Sequence, residues 1–148
     1  MKNFLLLFII PFFAFSQNIT SNCTLSIEQG WMQKKDYLNI DYTQPANGYV
    51  KAVFKFTNHY KSTIVGIEYS YIFKDVFGEI LARGTGKELE KIMPGQSNKI
   101  NTYTYWADNP YIKNEIYDKF WPSVNGGNTI KIIVINKIAF ENGEILRF

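Results

Sequence analysis

The sequence has very few of the residues on which most catalytic and metal sites depend. Its 148 residues include one cysteine, Cys23, and one histidine, His59. An internal disulfide is therefore impossible, and a zinc site, which usually takes several cysteine or histidine ligands, is not expected. A Ser-His-Asp or Cys-His arrangement would have to use His59, and a surface-loop position is the better interpretation of that residue. We predict no catalytic residue, no bound metal and no cofactor.

A clustered charge of one sign is also lacking. The chain has 16 basic and 13 acidic residues, with the two signs mixed along its length. Phosphate binding needs a basic face, so we expect no nucleic-acid partner. The segment Gly84-Thr85-Gly86-Lys87 lacks the upstream glycine of a phosphate loop, and we predict a flexible turn there.

Acidic residues that lie near each other in the sequence leave one enzymatic alternative open, since two carboxylates at a suitable separation can hydrolyse glycosides. The pairs are Asp75 with Glu79, Glu88 with Glu90, and Asp108 with Glu115 or Asp118. Solvated surface charge is the simpler interpretation, because nothing in the sequence indicates a buried acid with a raised pKa.

The longest apolar run stands at the N-terminus. Lys2 precedes twelve apolar residues, 4–15, and Ala14 and Ser16 place small residues at the −3 and −1 positions of a cleavage site. This order predicts a signal peptide over residues 1–16, and hence an exported protein, periplasmic or extracellular, that begins at Gln17. A membrane span needs about 20 apolar residues, so we predict no transmembrane segment after cleavage.

Cys23 leaves two possibilities open. The first is a lipid anchor on the thiol, but the preceding Thr20-Ser21-Asn22 lacks the pattern that a bacterial lipoprotein signal peptidase recognises. A partly buried or free thiol is the favoured interpretation.

The clearest strand signal is the stretch from Val65 to Leu81. Apolar residues alternate with others at every second position, which predicts one buried face, and Asp75-Val76-Phe77-Gly78 then predicts a type I turn before an extended return. The predicted buried set is Val65, Ile67, Tyr69, Tyr71 and Phe73.

Similar short alternations recur along residues 17–148 and predict a single all-β, antiparallel domain of seven to nine strands. Asp108-Asn109-Pro110 predicts the start of one short helix that runs through Lys119 within a late insertion. Pro122 and Gly126-Gly127 are predicted to end that insertion. A sandwich is favoured, and a barrel remains the alternative because strand patterns do not reveal how a sheet closes.

Several short motifs resemble the small exported bacterial sandwich domains of the FxLYD type. They are Phe73-Lys74-Asp75, Phe77-Gly78-Glu79-Ile80-Leu81, Met93-Pro94-Gly95-Gln96-Ser97 and the closing Phe140-Glu141-Asn142-Gly143. The resemblance implies an immunoglobulin-like sandwich and a location outside the cytoplasm, and it implies no enzymatic activity. Lys74 departs from it, since an aromatic residue stands there in such domains.

Aromatic residues are the one feature above background, with seven between Tyr103 and Trp121. Exposed rings beside polar groups can stack on sugars or anchor a protein partner, but burial in the core is the favoured interpretation, since a long insertion folded over the end of a sandwich must bury something. If the insertion is a contact surface, we expect Trp106, Tyr111 and Trp121 to form it.

The sequence therefore favours an exported, non-enzymatic binding or assembly domain with a protein or glycan partner at the cell surface. A carbohydrate-binding module is the first alternative. A small hydrolase that uses a carboxylate pair is the second.

Overall fold

The computed structural model describes residues 18–29, 34–35, 41–42, 48–99, 102–108 and 116–148. Its elements, in chain order, are β1 (Ile19–Gln29), β2 (Lys34–Lys35), β3 (Asp41–Tyr42), β4 (Gly48–Asn58), β5 (Ile64–Lys74), β6 (Ile80–Glu88), β7 (Thr102–Ala107), α1 (Ile116–Asn125), β8 (Ile130–Phe140) and β9 (Ile145–Arg147). Every strand pair is antiparallel. The prediction of an all-β chain with seven to nine strands and one helix is confirmed.

The seven longer strands form two sheets, in the orders β1-β4-β7 and β6-β5-β8-β9, while β2 and β3 pair only with each other. This is an immunoglobulin-like sandwich, in which the third, sixth and seventh of the long strands, here β5, β8 and β9, share one sheet. The fourth long strand, β6, joins the same sheet by pairing with β5. The alternative of a barrel is thereby settled in favour of a sandwich.

The core lies between the sheets and is unusually rich in aromatic rings. Tyr69, on β5, lies between Phe54 and Phe56 on β4, with ring centroids 4.9 Å from each. Rings of this size bury large apolar areas, and tilted contacts suit their quadrupoles. These pairs join the two sheets across the middle of the sandwich.

The predicted alternation of β5 holds for four of its five members. Ile67, Tyr69, Tyr71 and Phe73 are buried, whereas Val65 is only half-buried and its neighbour Ile64 is fully buried. A β-bulge between Ile64 and Gly66 causes this, because one extra residue reverses the alternation on one side of the bulge.

The turn that joins β5 to β6 forms as predicted. The Gly78 N–H donates to the Asp75 carbonyl oxygen, and Gly78 has a φ of 86°, which only glycine adopts without strain. Asp75 Oδ1 also accepts hydrogen bonds from the Phe77 and Glu79 N–H groups, at 2.9 Å each.

The predicted flexible turn at residues 84–87 is wrong, because these residues belong to β6. Gly84 pairs with Tyr71 and Gly86 with Tyr69 on β5. Each glycine lies against the ring of its tyrosine partner so closely that a Cβ would collide with it. The two glycines therefore leave space for the rings of Tyr71 and Tyr69. They are two residues apart because the two tyrosines are two residues apart on β5.

The described helix, Ile116–Asn125, extends further along the chain than predicted. It continues past Lys119 to Asn125 and contains Pro122, and it ends immediately before Gly126-Gly127, which together with Pro122 were expected to end the insertion; residues 109–115, at the predicted start, lie outside the described residues. Proline removes one backbone hydrogen bond of the helix, so side-chain packing must stabilise it. Phe120 provides this packing, because its side chain is fully buried and its ring stacks on Phe73 with centroids 5.4 Å apart.

Candidate functional site

The outer face of the three-stranded sheet carries the exposed tyrosines of the molecule's aromatic segment. In the register of this sheet, Tyr105 lies opposite Lys51, and Tyr103 lies opposite Val53. Trp106 is the next residue and faces the opposite way, since successive side chains of a strand alternate. Tyr103 and Tyr105 are 58% and 60% exposed. We call the set Tyr49, Tyr103, Tyr105, Lys51 and Glu28 the tyrosine face.

Hydrogen bonds and ion pairs fix the rings of the tyrosine face. The Tyr49 hydroxyl donates to Glu28 Oε2 at 2.5 Å, and Lys51 Nζ lies 3.2 Å from Glu28 Oε1. The Lys51 ammonium also lies over the Tyr103 ring, 5.1 Å from its centroid, in a cation–π arrangement. Tyr105 meets Tyr49 edge to face, with centroids 5.9 Å apart and planes 66° apart.

The protonation states in the tyrosine face follow from these contacts. The hydrogen bond from Tyr49, followed by the one from Lys51, lowers the pKa of Glu28. The same hydrogen bond, which favours the neutral phenol, raises the pKa of Tyr49. Glu28 is therefore an anion and Tyr49 a donor at neutral pH, so the Glu28–Tyr49 hydrogen bond is charge-assisted.

Two of the three residues predicted as a contact surface, Trp106 and Trp121, lie in the part of the chain that the structure describes. Trp106 is half-buried and packs edge to face on Phe120 and Phe73, with centroids 5.0 and 5.9 Å apart. Trp121 is 37% exposed on α1, next to the buried Phe120. Tyr111 lies outside the described residues. The aromatic segment thus supplies both core rings and exposed rings.

A shallow cleft of about 410 Å³ lies at the other end of the sandwich from α1. It contains His59, whose Nε2 lies 2.8 Å from Thr20 Oγ1, and Tyr60, whose ring meets Phe140 edge to face. Burial raises the pKa of Tyr60. His59 is exposed, in agreement with its predicted position in a surface loop. The remaining lining residues are Asn18, Lys61, Ser62, Glu144 and Leu146.

Three of the seven carboxylates that were considered for hydrolysis, Asp75, Glu88 and Glu90, accept hydrogen bonds from neighbouring groups of the fold. Asp75 closes the β5–β6 turn, as described above. Glu90 Oε2 accepts the Lys99 N–H at 2.8 Å. Glu88 is buried, and its oxygens accept hydrogen bonds from Thr102 Oγ1, Asn98 Nδ2 and the Glu90 N–H. These contacts give each of the three acids a structural role.

Cys23 lies in the middle of β1, opposite Phe54, with its side chain in the core. Burial raises its pKa to about 12, so the group is a neutral thiol at physiological pH. Across the described ranges, no three histidine, cysteine, aspartate or glutamate side chains cluster in a way that could hold a metal ion. No helix among these residues has the length and apolar character needed to cross a membrane.

Comparisons with known proteins yield only distant structural likenesses. No protein-family model matches the chain, and no curated protein sequence is significantly similar to it. Three solved structures align with a TM-score of 0.40 each. The X-ray structure of Northeast Structural Genomics Consortium target SoR45 is 11% identical and covers 87% of this chain and 79% of its own. A hypothetical protein from Peptoclostridium difficile 630 is 11% identical, with coverages of 84% and 86%. A protein from Archaeoglobus fulgidus is 13% identical, with coverages of 84% and 89%.

Proposed function

We propose that the protein is an exported binding domain that holds a protein partner against the tyrosine face. The observation that carries this proposal is the pair of exposed rings, Tyr103 and Tyr105, held on a rigid sheet by the Glu28–Tyr49 and Lys51 contacts. Tyrosine is enriched at protein interfaces because it offers a large contact area with few rotatable bonds.

The position of the two tyrosines at the side of a sheet favours a protein partner further. They lie on β7, which pairs with β4 on one side, and no strand of the described part pairs with its other side. A free strand edge can accept an extended segment of a partner through backbone hydrogen bonds, while neighbouring side chains give specificity. Tyr103 and Tyr105 are placed to supply that specificity.

A glycan is the second candidate, and the ring geometry favours it less. A sugar chain stacks best on rings that present open and roughly parallel faces. Tyr105 and Tyr49 are inclined by 66°, and the Lys51 ammonium covers one face of Tyr103. Because Tyr49 and Lys51 already contact these rings, less of each ring face is open for a sugar to stack on.

Site-specific photo-cross-linking in the native host tests this proposal. A benzophenone amino acid in place of Tyr105 should give one discrete protein adduct, whereas the same group in place of Thr85, on the outer face of the other sheet, should not. The adduct should weaken when Tyr103 is changed to Ser. Equal adducts from both positions, or none from Tyr105, would overturn the proposal, and loss of the adduct on adding one glycan from a panel would favour the second candidate.

A further inference from the structure

Two backbone hydrogen bonds at the ends of β4 show which residues of β7 are bonded to it. The Asp108 N–H donates to the Gly48 carbonyl oxygen at 3.0 Å, in the register that continues the β4–β7 ladder. Hydrogen-bonded pairs alternate along an antiparallel ladder, so the residues of β7 that bond β4 are Thr102, Thr104 and Trp106. On the other side of β4, the His59 N–H donates to the Asn18 carbonyl oxygen, which assigns the odd-numbered residues of β4 to β1 and agrees with this alternation.

The remaining residues of β7 direct their backbone groups to its unpaired side. They are Tyr103, Tyr105 and Ala107, whose N–H and C=O groups point away from β4. In the part of the chain that the structure describes, no strand pairs with that side. The side chains of the same three residues are the exposed ones of β7. Backbone donors and acceptors at the edge therefore lie beside exposed rings of the tyrosine face.

The other edge strands of the two large sheets carry features that discourage pairing with another chain. On β1, Asn22 Oδ1 accepts the Cys23 N–H at 2.7 Å. The β6 edge carries Arg83 and Lys87, and β9 is only three residues long and includes Arg147. Charged residues, prolines, bulges and short length are the usual protection of sheet edges. The described β7 has no charged residue, no proline and no register shift against β4, so it lacks these protections.

We propose that the protein partner of the tyrosine face supplies an extended segment, which pairs with β7 as a fourth strand of that sheet. This inference rests on the proposed function and adds the means of recognition, which is the backbone of Tyr103 and Tyr105. A peptide in a strand repeats its own donors and acceptors at the same two-residue interval, so it is the ligand that the edge fits.

The side chains of the added strand fall into two sets because strand residues alternate between faces. Those opposite Tyr103 and Tyr105 lie on the tyrosine face, where aromatic and β-branched residues make favourable cross-strand pairs with tyrosine. Those between them lie on the side of the half-buried Trp106, where an apolar residue can cover more of the indole. Lys51 and Glu28 already pair with each other, so the segment needs no charge of its own. We expect about five extended, uncharged residues.

Hydrogen exchange of the purified full chain tests whether the edge is open. The N–H groups of Tyr103, Tyr105 and Ala107, followed by NMR, should exchange at least about tenfold faster than those of Thr104 and Trp106, which are bonded to β4. Slow exchange at the first three would show that another part of the chain already pairs with β7. That result would overturn the inference.

The same measurement on the complex tests strand pairing directly. Its probe is the protein captured by the benzophenone group at position 105. On adding that protein, exchange at the Tyr103 and Tyr105 N–H groups should slow at least about tenfold, and exchange at Thr104 and Trp106 should stay unchanged. Unchanged exchange at the two tyrosines would indicate contact through side chains alone. It would overturn this inference and leave the proposed function standing.

Proline substitution gives a second measurement in the native host. Ala107→Pro removes an N–H that points away from β4, so the ladder with β4 keeps its bonds while the edge is blocked. The yield of the position-105 adduct should fall about tenfold, as expected from losing one hydrogen bond and adding a steric obstacle. The matched control is Ser21→Pro on β1, the other edge of the same sheet, where the N–H also points away from β4.

The outcomes separate this inference from the proposed function. An adduct that Ala107→Pro leaves unchanged, or that Ser21→Pro weakens equally, would overturn strand pairing while the tyrosine face still holds a partner. Absence of any adduct at position 105 would overturn the proposed function and this inference with it. Loss of the adduct in Ala107→Pro alone, together with slowed exchange at the two tyrosines, is the result that we expect.

Discussion

Gly86→Ala should destabilise the protein although the residue lies in a strand, where this substitution usually helps. Gly86 pairs with Tyr69, and a Cβ at this position would fall well inside van der Waals contact of the Tyr69 Cζ and hydroxyl oxygen. Tyr69 cannot move aside, because its ring is 2% exposed and lies 4.9 Å from the rings of Phe54 and Phe56. The added methyl group must therefore displace the core or the strand.

The expected magnitude comes from two opposing terms. Replacing a strand-interior glycine with alanine usually contributes about 0.5–1 kcal/mol of stability, because the unfolded chain loses conformational freedom. Overpacking a well-filled core costs about 1–3 kcal/mol. The second term is larger here, because the neighbouring rings are fixed, and we expect a net loss of about 1–2 kcal/mol in the free energy of unfolding.

Urea unfolding of Gly86→Ala beside the parent measures this difference through the midpoint. The partner control is Tyr69→Leu, in which the obstructing ring is absent. In the Tyr69→Leu background, Gly86→Ala should leave the free energy of unfolding unchanged or raise it, as this substitution ordinarily does in a strand. The effects of the two substitutions on stability should therefore not be additive. A single variant Gly86→Ala as stable as the parent would refute the view that this glycine exists to make room for the tyrosine ring.

Stability should also fall at alkaline pH. Burial raises the folded pKa of the Cys23 thiol above its ordinary value of 9.0, and burial likewise raises the folded pKa of Tyr69 above 10.0. Their contributions to the free energy of unfolding are complete below those unfolded values. They are lost as pH rises from there through the raised folded pKa values, because in that window only the unfolded state releases a proton, at most about 1.4 kcal/mol per pH unit for each group. The melting temperature should therefore fall above pH 9 in the parent and only above pH 10 in Cys23→Ala. A melting temperature that stays constant to pH 11 would contradict the burial of both groups. Asn98→Ala should cost about 1–3 kcal/mol in urea unfolding, because it leaves the buried Phe56 N–H without its acceptor and removes one of the donors to the buried Glu88 carboxylate. Thr85→Ala, on the exposed face of β6, should stay within about 0.5 kcal/mol, and equal losses in the two variants would contradict this role of Asn98.

Much of the fold could be predicted because the core follows local patterns. The alternation on β5 and the Asp-x-x-Gly turn each involve neighbouring residues, so a sequence window contains the whole signal. The bulge at Val65 could not be predicted in this way, since it depends on pairing with β8, more than sixty residues away. The burial of Glu88 is similarly hidden, because Asn98, which donates to it, is itself held by the Phe56 N–H of β4, more than forty residues away.

The exposed tyrosines were missed although the sequence contains a signal for them. Tyr103 and Tyr105 share one face of a strand, and Trp106 must take the other. One of the two faces has to be buried, and the indole offers more apolar area than a phenol whose hydroxyl group favours water. Applying strand alternation to these three residues would have placed Trp106 in the core and the tyrosines outside, as the structure does.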